Sequence, residues 1–203
     1  MATDLVWQGS LFAAAADVAA DDLSFAACTR TPLARGAWVD EVQAWSHGVD
    51  DLFDVIHHAA PWSTEERPMY DRMVLTPRLH SGVWIDPPAR VAEMADALSD
   101  HYGLDLRTIS ANLYRDGSDS VAWHGDRVGR VRADTVVAIL TLGSPRRLLL
   151  RPTGGGRSLA FEPTAGDLFV MGGTCQRTWE HSVPKRATAG PRICVMFREP
   201  GGN

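Results

Sequence analysis

Thr135-Val-Val-Ala-Ile-Leu-Thr-Leu-Gly143 is a run rich in β-branched residues that stops at a glycine, and it reads as a strand from Thr135 to Leu142. Similar short runs lie on both sides of it. Thr108 to Arg115 ends in the turn signal Asp116-Gly117, and Arg147 to Arg151 is bracketed by Pro145 and Gly154-Gly155-Gly156. Leu168 to Met171 follows Gly166-Asp167 and ends at Gly172-Gly173, and Arg192 to Arg198 closes the series. Many short strands with frequent turns predict a barrel or a two-sheet jelly roll over residues 105–199. Residues 1–104 have a different texture. Asp51 to Ala60 puts Leu52, Val55, Ile56 and Ala59 on one helical face before Pro61. After Pro87-Pro88, the stripe Val91, Met94, Ala95, Leu98 and Tyr102 predicts a second helix stopped at Gly103. Tyr70 to Trp84, broken by Pro77 and Gly82, reads as short strands and loops. The expected fold is therefore α+β with a β-rich core, with N-terminal helices flanking a jelly roll, all in one domain over 1–203.

Composition narrows the class. The chain of 203 residues is 45% hydrophobic and 22% charged, ordinary values for a soluble globular protein. Its start lacks the basic segment of a signal peptide, and the apolar run Leu11 to Ala20 is short and interrupted by Asp17. Cys28, Cys175 and Cys194 form no CxxC pair, which predicts reduced thiols. A cytoplasmic protein with no membrane segment is expected, and no obligate protein partner can be inferred. The net charge is −5, but it is unevenly spread: Arg107 to Arg198 holds 14 basic and 7 acidic residues, the remainder 6 and 18. All but one of the basic residues are arginines, the type suited to forked recognition of carboxylate and phosphate, so a basic face on the C-terminal half is expected.

Chemistry enters with Trp123-His124-Gly125-Asp126. Residues two apart in an extended segment point to the same side, so His124 and Asp126 can hold one ion together. A third ligand must come from another strand, and His181 stands where one is wanted. Two imidazoles and a carboxylate are the ligand set of a mononuclear non-haem iron(II) oxygenase, with the opposite coordination positions left open. Such an enzyme needs a reductant for O2, usually 2-oxoglutarate, whose far carboxylate is well held by an arginine fork. Arg192 and Arg198, six apart in an extended run, share a side by strand parity. Both can face the barrel interior, where burial is costly without an anion.

Asn112-Leu-Tyr114-Arg-Asp-Gly117, then His124-Gly125-Asp126, then His181-Ser-Val-Pro-Lys185, then Arg192-Ile-Cys-Val-Met-Phe-Arg198 resembles the AlkB family of 2-oxoglutarate-dependent dioxygenases in order and spacing. The resemblance implies a double-stranded β-helix. It implies iron ligation by His124, Asp126 and His181. Asn112, Tyr114 and Arg192 would hold the distal carboxylate of 2-oxoglutarate, and Arg198 would neutralise its metal-chelating end. Pro61-Trp62 and Arg72 to Trp84 look like a degenerate form of the family's nucleotide-recognition lid. Cofactors Fe(II), 2-oxoglutarate and O2 are implied, with oxidative demethylation of N-alkylated bases in DNA or RNA and release of formaldehyde, succinate and CO2. A base substrate needs stacking surfaces and phosphate contacts, for which Trp62, Tyr70, Trp84, Trp123, Arg127 and Arg130 are the candidates.

Two departures stand out. Cys194 and Met196 replace polar residues of the family's closing strand, and Arg127-Val-Gly-Arg130 follows the ligands where repair members carry acidic residues. The same chemistry on a protein or small molecule, and a non-catalytic jelly-roll binding module, are the alternative readings.

Overall fold

The computed structural model describes residues 23–64, 66–69, 72–75, 77–126 and 128–201. Strands and helices are numbered in chain order. The predicted central run is β8 (Thr135–Gly143), buried along its whole length. It lies mid-sheet in the antiparallel order β1 (Thr29–Pro32), β2 (Ala37–Val42), β11 (Leu168–Gly173), β8, β13 (Arg192–Arg198), β6 (Thr108–Tyr114) and β5 (Leu79–Val83). A smaller sheet runs β10 (Leu159–Phe161), β9 (Leu148–Pro152), β12 (Trp179–Val183) and β7 (Val121–His124). Two facing antiparallel sheets whose neighbours are mostly not consecutive in the chain make a jelly roll. A separate hairpin pairs β3 (Glu66–Met69) with β4 (Arg72–Leu75).

β8 reads as a continuous apolar run because both of its faces are covered. Val136, Ala138, Leu140 and Leu142 pack in the cluster that holds α1 (Val49–Ala59) and α2 (Ala89–Tyr102). Val137 and Ile139 point into the jelly roll with Phe169, Met171, Cys194 and Met196. β13 follows the same parity. Ile193, Val195 and Phe197 pack on the helix side, which leaves Arg192, Cys194, Met196 and Arg198 facing the interior. The helices thus act as a backing layer that fixes which face of the large sheet lines the cavity.

Helix α2 matches its predicted stripe, and Gly103 ends it in the left-handed conformation (φ 65°), where glycine carries no Cβ penalty. Helix α1 differs in its face. Leu52, Phe53 and Ile56 are buried, while Val55 is 48% exposed and Ala59 points outward. The Phe53 ring, seated against Gly143, brings more apolar area than Val55 and sets the helix rotation. No helix among the described residues is long and apolar enough to cross a membrane.

Candidate metal and cosubstrate site

His124 and His181 are direct partners in the β7–β12 pairing, which sets their rings side by side with centroids 4.2 Å apart. Asp126 lies two residues beyond the end of β7, and its Oδ1 is 3.7 Å from His124 Nε2 and 3.9 Å from His181 Nε2. One ligand atom from each of the three falls within 4.8 Å of the others, a spacing that a single ion can bridge. The surroundings aim these groups. His124 Nδ1 lies 2.9 Å from the Ala122 carbonyl, which can only accept, so Nδ1 carries the hydrogen and Nε2 keeps its lone pair. The Asp126 backbone N–H donates to Gln176 Oε1 at 2.8 Å, and Arg198 Nε donates to Asp126 Oδ2 at 2.9 Å. One carboxylate oxygen is thereby occupied while Oδ1 faces the histidines. Gly125 has a local reason: a Cβ there would sit 2.6 Å from the Gln176 carbonyl of α4 (Cys175–Thr178), closer than a side chain can approach.

Across the cavity, β13 and β6 supply the second half. Arg192 pairs in register with Tyr114, and Cys194 with Asn112. Arg192 is 1% exposed, and its Nη2 donates to Thr141 Oγ1 at 3.1 Å. Its Nε and Nη1 are buried with no hydrogen-bond partner, and such groups are costly unless an acceptor arrives. Among the described residues, Asn112 offers its amide only to the Met196 thioether, at 3.1 Å, a weak acceptor. These side chains line one cavity of about 490 Å³ together with His124, Asp126 and His181. Arg198 also donates from Nη1 to Ser110 Oγ at 2.7 Å, so it braces the Asp126 carboxylate from the opposite sheet.

The electrostatics favour ligand protonation states. Burial alone would raise the Asp126 carboxyl, but Arg198, then His181 and His124, outweigh it and hold it well below the usual carboxylate range. Burial, reinforced by His124, pushes His181 down to about 3, so it is neutral and able to coordinate at physiological pH. Burial pushes the Tyr114 phenol up to about 12, which keeps it a donor. Cys175 rises to about 12 for the same reason, followed by the charge of Asp126, and Cys194 is also raised by burial. All three cysteines are free.

The aromatic candidates do not gather at this cavity. Trp84 is 7% exposed inside the helix-side core, so its ring is not available for stacking. Trp62 packs against that same core and donates from Nε1 to the His57 carbonyl at 2.8 Å. Trp123, next to His124 on β7, points to the other face of the small sheet, where the Arg151 guanidinium lies 4.1 Å from its ring centroid. Strand alternation sends neighbouring residues to opposite faces, and that separates Trp123 from the ligands. Arg130, on the short helix α3 (Val128–Val131), is exposed and lines the cavity. Tyr70 and Arg127 lie outside the described residues.

Five residues were missed: Ser110, Thr141, Gln176, Arg146 and Arg78. Ser110 was within reach, since it precedes Asn112 and Tyr114 at strand spacing and so shares their face. Gln176 and Thr141 carry no sequence signal; their roles depend on which strand or helix packs beside them. Arg146 is fully buried and donates to the carbonyls of Asp116, Asp119 and Pro184 at 2.8, 2.8 and 2.9 Å. It clamps the turn after β6 to the loop after β12. Arg78, 9% exposed, lines the cavity from the turn before β5.

The 2OG-Fe(II) oxygenase superfamily matches residues 43–198 of the chain. Human alpha-ketoglutarate-dependent dioxygenase alkB homolog 3 is 29% identical over 147 residues, covering 68% of this chain and 49% of its own length. Arabidopsis thaliana DNA oxidative demethylase ALKBH2 is 28% identical over 201 residues, covering 77% of this chain and 62% of its own. The chain thus spans 49% to 62% of the length of these relatives. A crystal structure of a 2OG-Fe(II) oxygenase family oxidoreductase from Burkholderia pseudomallei has the same fold, with a TM-score of 0.53 at 12% identity, over 85% of this chain and 84% of that one. The superfamily uses Fe(II), 2-oxoglutarate and O2, and the chemistry of this cavity fits them: a nitrogen and oxygen donor set on one side, and orphaned guanidinium donors on the other. The chain belongs to the 2OG-Fe(II) oxygenase superfamily, as an AlkB-like member.

Proposed function

We propose that this protein is an Fe(II)- and 2-oxoglutarate-dependent dioxygenase that removes methyl groups from N-alkylated bases of DNA or RNA. The observation that carries the reading is the shared cavity, in which His124, Asp126 and His181 face the buried, partnerless Nε and Nη1 of Arg192. A binding module would have no use for both. His124 Nε2, His181 Nε2 and Asp126 Oδ1 would hold the iron. Arg192 would fork onto the distal carboxylate of 2-oxoglutarate, with Asn112 and Tyr114 beside it. Arg198, paired with Asp126, orients that ligand and balances the carboxylate charge near the metal. The bound metal with its cosubstrate and O2 supplies the power to hydroxylate an unactivated methyl C–H, which no side chain has. Hydroxylation of an N-methyl group gives a hemiaminal that loses formaldehyde. The chain's own share is to position these groups and, by burying His181, to keep that imidazole unprotonated.

The basic excess of the C-terminal half and the exposed Arg130 at the cavity support a polyanionic substrate. Names of the relatives, one a DNA oxidative demethylase, agree with it. Three free cysteines favour a reducing, cytoplasmic setting. A panel of methylated oligonucleotides, read by mass spectrometry for loss of the methyl carbon and in parallel for succinate, tests the reading. Succinate formed without demethylation of any oligonucleotide would move the substrate to a protein or small molecule.

A further inference from the structure

We propose that the cavity admits an uncharged alkylated base and turns away one carrying a positive charge, with Arg78 as the residue that sets this preference. The inference rests on the nucleic-acid reading above and names the substrate class within it. Among the described residues that line the cavity, four arginines (Arg78, Arg130, Arg192 and Arg198) face a single carboxylate, Asp126. That carboxylate is already engaged by Arg198 at 2.9 Å and stands as a metal ligand. Arg192 has its own task with the dicarboxylate. Arg78 is left over. It is buried, its Nε has no hydrogen-bond partner, and among the described residues no carboxylate forms an ion pair with it.

A cationic ring placed in this cavity would meet a guanidinium of like charge in a medium of low dielectric, with no described carboxylate free to receive it. A neutral base reverses the balance. Its ring carbonyls accept hydrogen bonds, and Arg78 has an unused donor for them. 3-Methylthymine and 3-methylcytosine make a controlled pair, since both are pyrimidines methylated at N3. The first is neutral with carbonyls on both sides of the methylated nitrogen. The second is cationic near neutral pH and carries an exocyclic amino group that can only donate. Rejection through unmatched polar groups is the usual source of strong discrimination between isosteres.

Two oligonucleotides identical except for this base are compared by equilibrium binding to the metal-free protein and by turnover with the iron-loaded enzyme. The wild type is expected to favour 3-methylthymine about tenfold or more in both measurements, about 1.4 kcal/mol. Arg78→Gln, which keeps hydrogen-bond donors but loses the charge, should collapse the ratio to within about threefold. Arg78→Lys keeps the charge, should retain the preference, and covers the case in which the glutamine variant fails to fold. A wild-type preference for 3-methylcytosine, or an unchanged ratio in Arg78→Gln, overturns the inference and leaves the demethylase reading intact. A 2-oxoglutarate KM that rises in Arg78→Gln at an unchanged base ratio would also overturn it, by assigning Arg78 to the cosubstrate. If neither oligonucleotide binds or is demethylated while succinate forms, the nucleic-acid reading itself falls and takes the inference with it.

Discussion

Arg192→Met separates two properties that a structural arginine would lose together. The Arg192 side chain is buried at 1% exposure, donates from Nη2 to Thr141, and leaves two buried donors without partners. Each unsatisfied buried donor costs about 1–3 kcal/mol, so a methionine of similar length removes a liability as well as a contact. The apo variant should hold its Tm or gain a few degrees, since about 1 kcal/mol corresponds to roughly 2–4 °C in a chain of this size. Binding of 2-oxoglutarate should behave oppositely. Two charge-assisted hydrogen bonds at about 1.5–3 kcal/mol each, capped by the roughly 2–5 kcal/mol typical of breaking a buried charged pair, predict about 100- to several-thousand-fold weaker binding. Calorimetric titration of 2-oxoglutarate into the Mn(II)-loaded protein reads this directly, beside thermal melts of the apo form. An unchanged affinity would show that the dicarboxylate sits elsewhere. A collapse in apo Tm would show that Arg192 is a structural residue whose donors are satisfied by the fold.

Four further expectations follow from the same geometry. Asp126→Ala should abolish succinate formation and sharply weaken metal binding, because it removes the only charged ligand and strands Arg198; full turnover with iron bound would refute the assignment. Gly125→Ala should weaken Mn(II) binding and cost about 1–3 kcal/mol of stability although both flanking ligands remain, since its Cβ would fall 2.6 Å from the Gln176 carbonyl; wild-type metal affinity would refute the close-approach argument. Arg130→Ala should flatten the slope of log K against log salt for a single-stranded oligonucleotide by about 0.7, with an unchanged slope counting against a phosphate contact. His181 has a folded pKa of about 3 against an ordinary 6.5, so between these values the unfolded chain binds more protons. Apo stability should therefore be complete above pH about 6.5 and fall as pH drops toward about 3, with His57, also lowered by burial, adding to the slope. His181→Asn should flatten that fall between about pH 6.5 and 4.5, and a slope equal to wild type would refute it.

The elements legible in the sequence are those whose pattern follows one strong period. The interior run of β8, the parity of Arg192 and Arg198 on β13, and the stripe of α2 all came from alternation or helical spacing. Short strands were harder. β7 and β12 carry both histidines, yet Val121–His124 and Trp179–Val183 are too brief to announce themselves. β1 and β2 were missed for a similar reason, with Asp40 buried on β2 only because Arg30 and Tyr102 satisfy it. The tryptophans misled because aromatic residues are equally at home in a core; Trp84 was claimed by the helix side and Trp123 by the outer face of the small sheet. Arg78 and Arg146 are buried charges, and nothing in a sequence distinguishes them from the exposed arginines around them. Their burial depends on long-range packing alone.

A crystal structure of the protein prepared without oxygen, with Mn(II) in place of iron and 2-oxoglutarate bound, would locate the metal and the dicarboxylate together. One anomalous peak is expected, bonded to His124 Nε2, His181 Nε2 and Asp126 Oδ1, with the distal carboxylate of 2-oxoglutarate accepting from the Arg192 guanidinium. A metal bound away from these three atoms, or a dicarboxylate that makes no hydrogen bond to Arg192, would contradict that assignment.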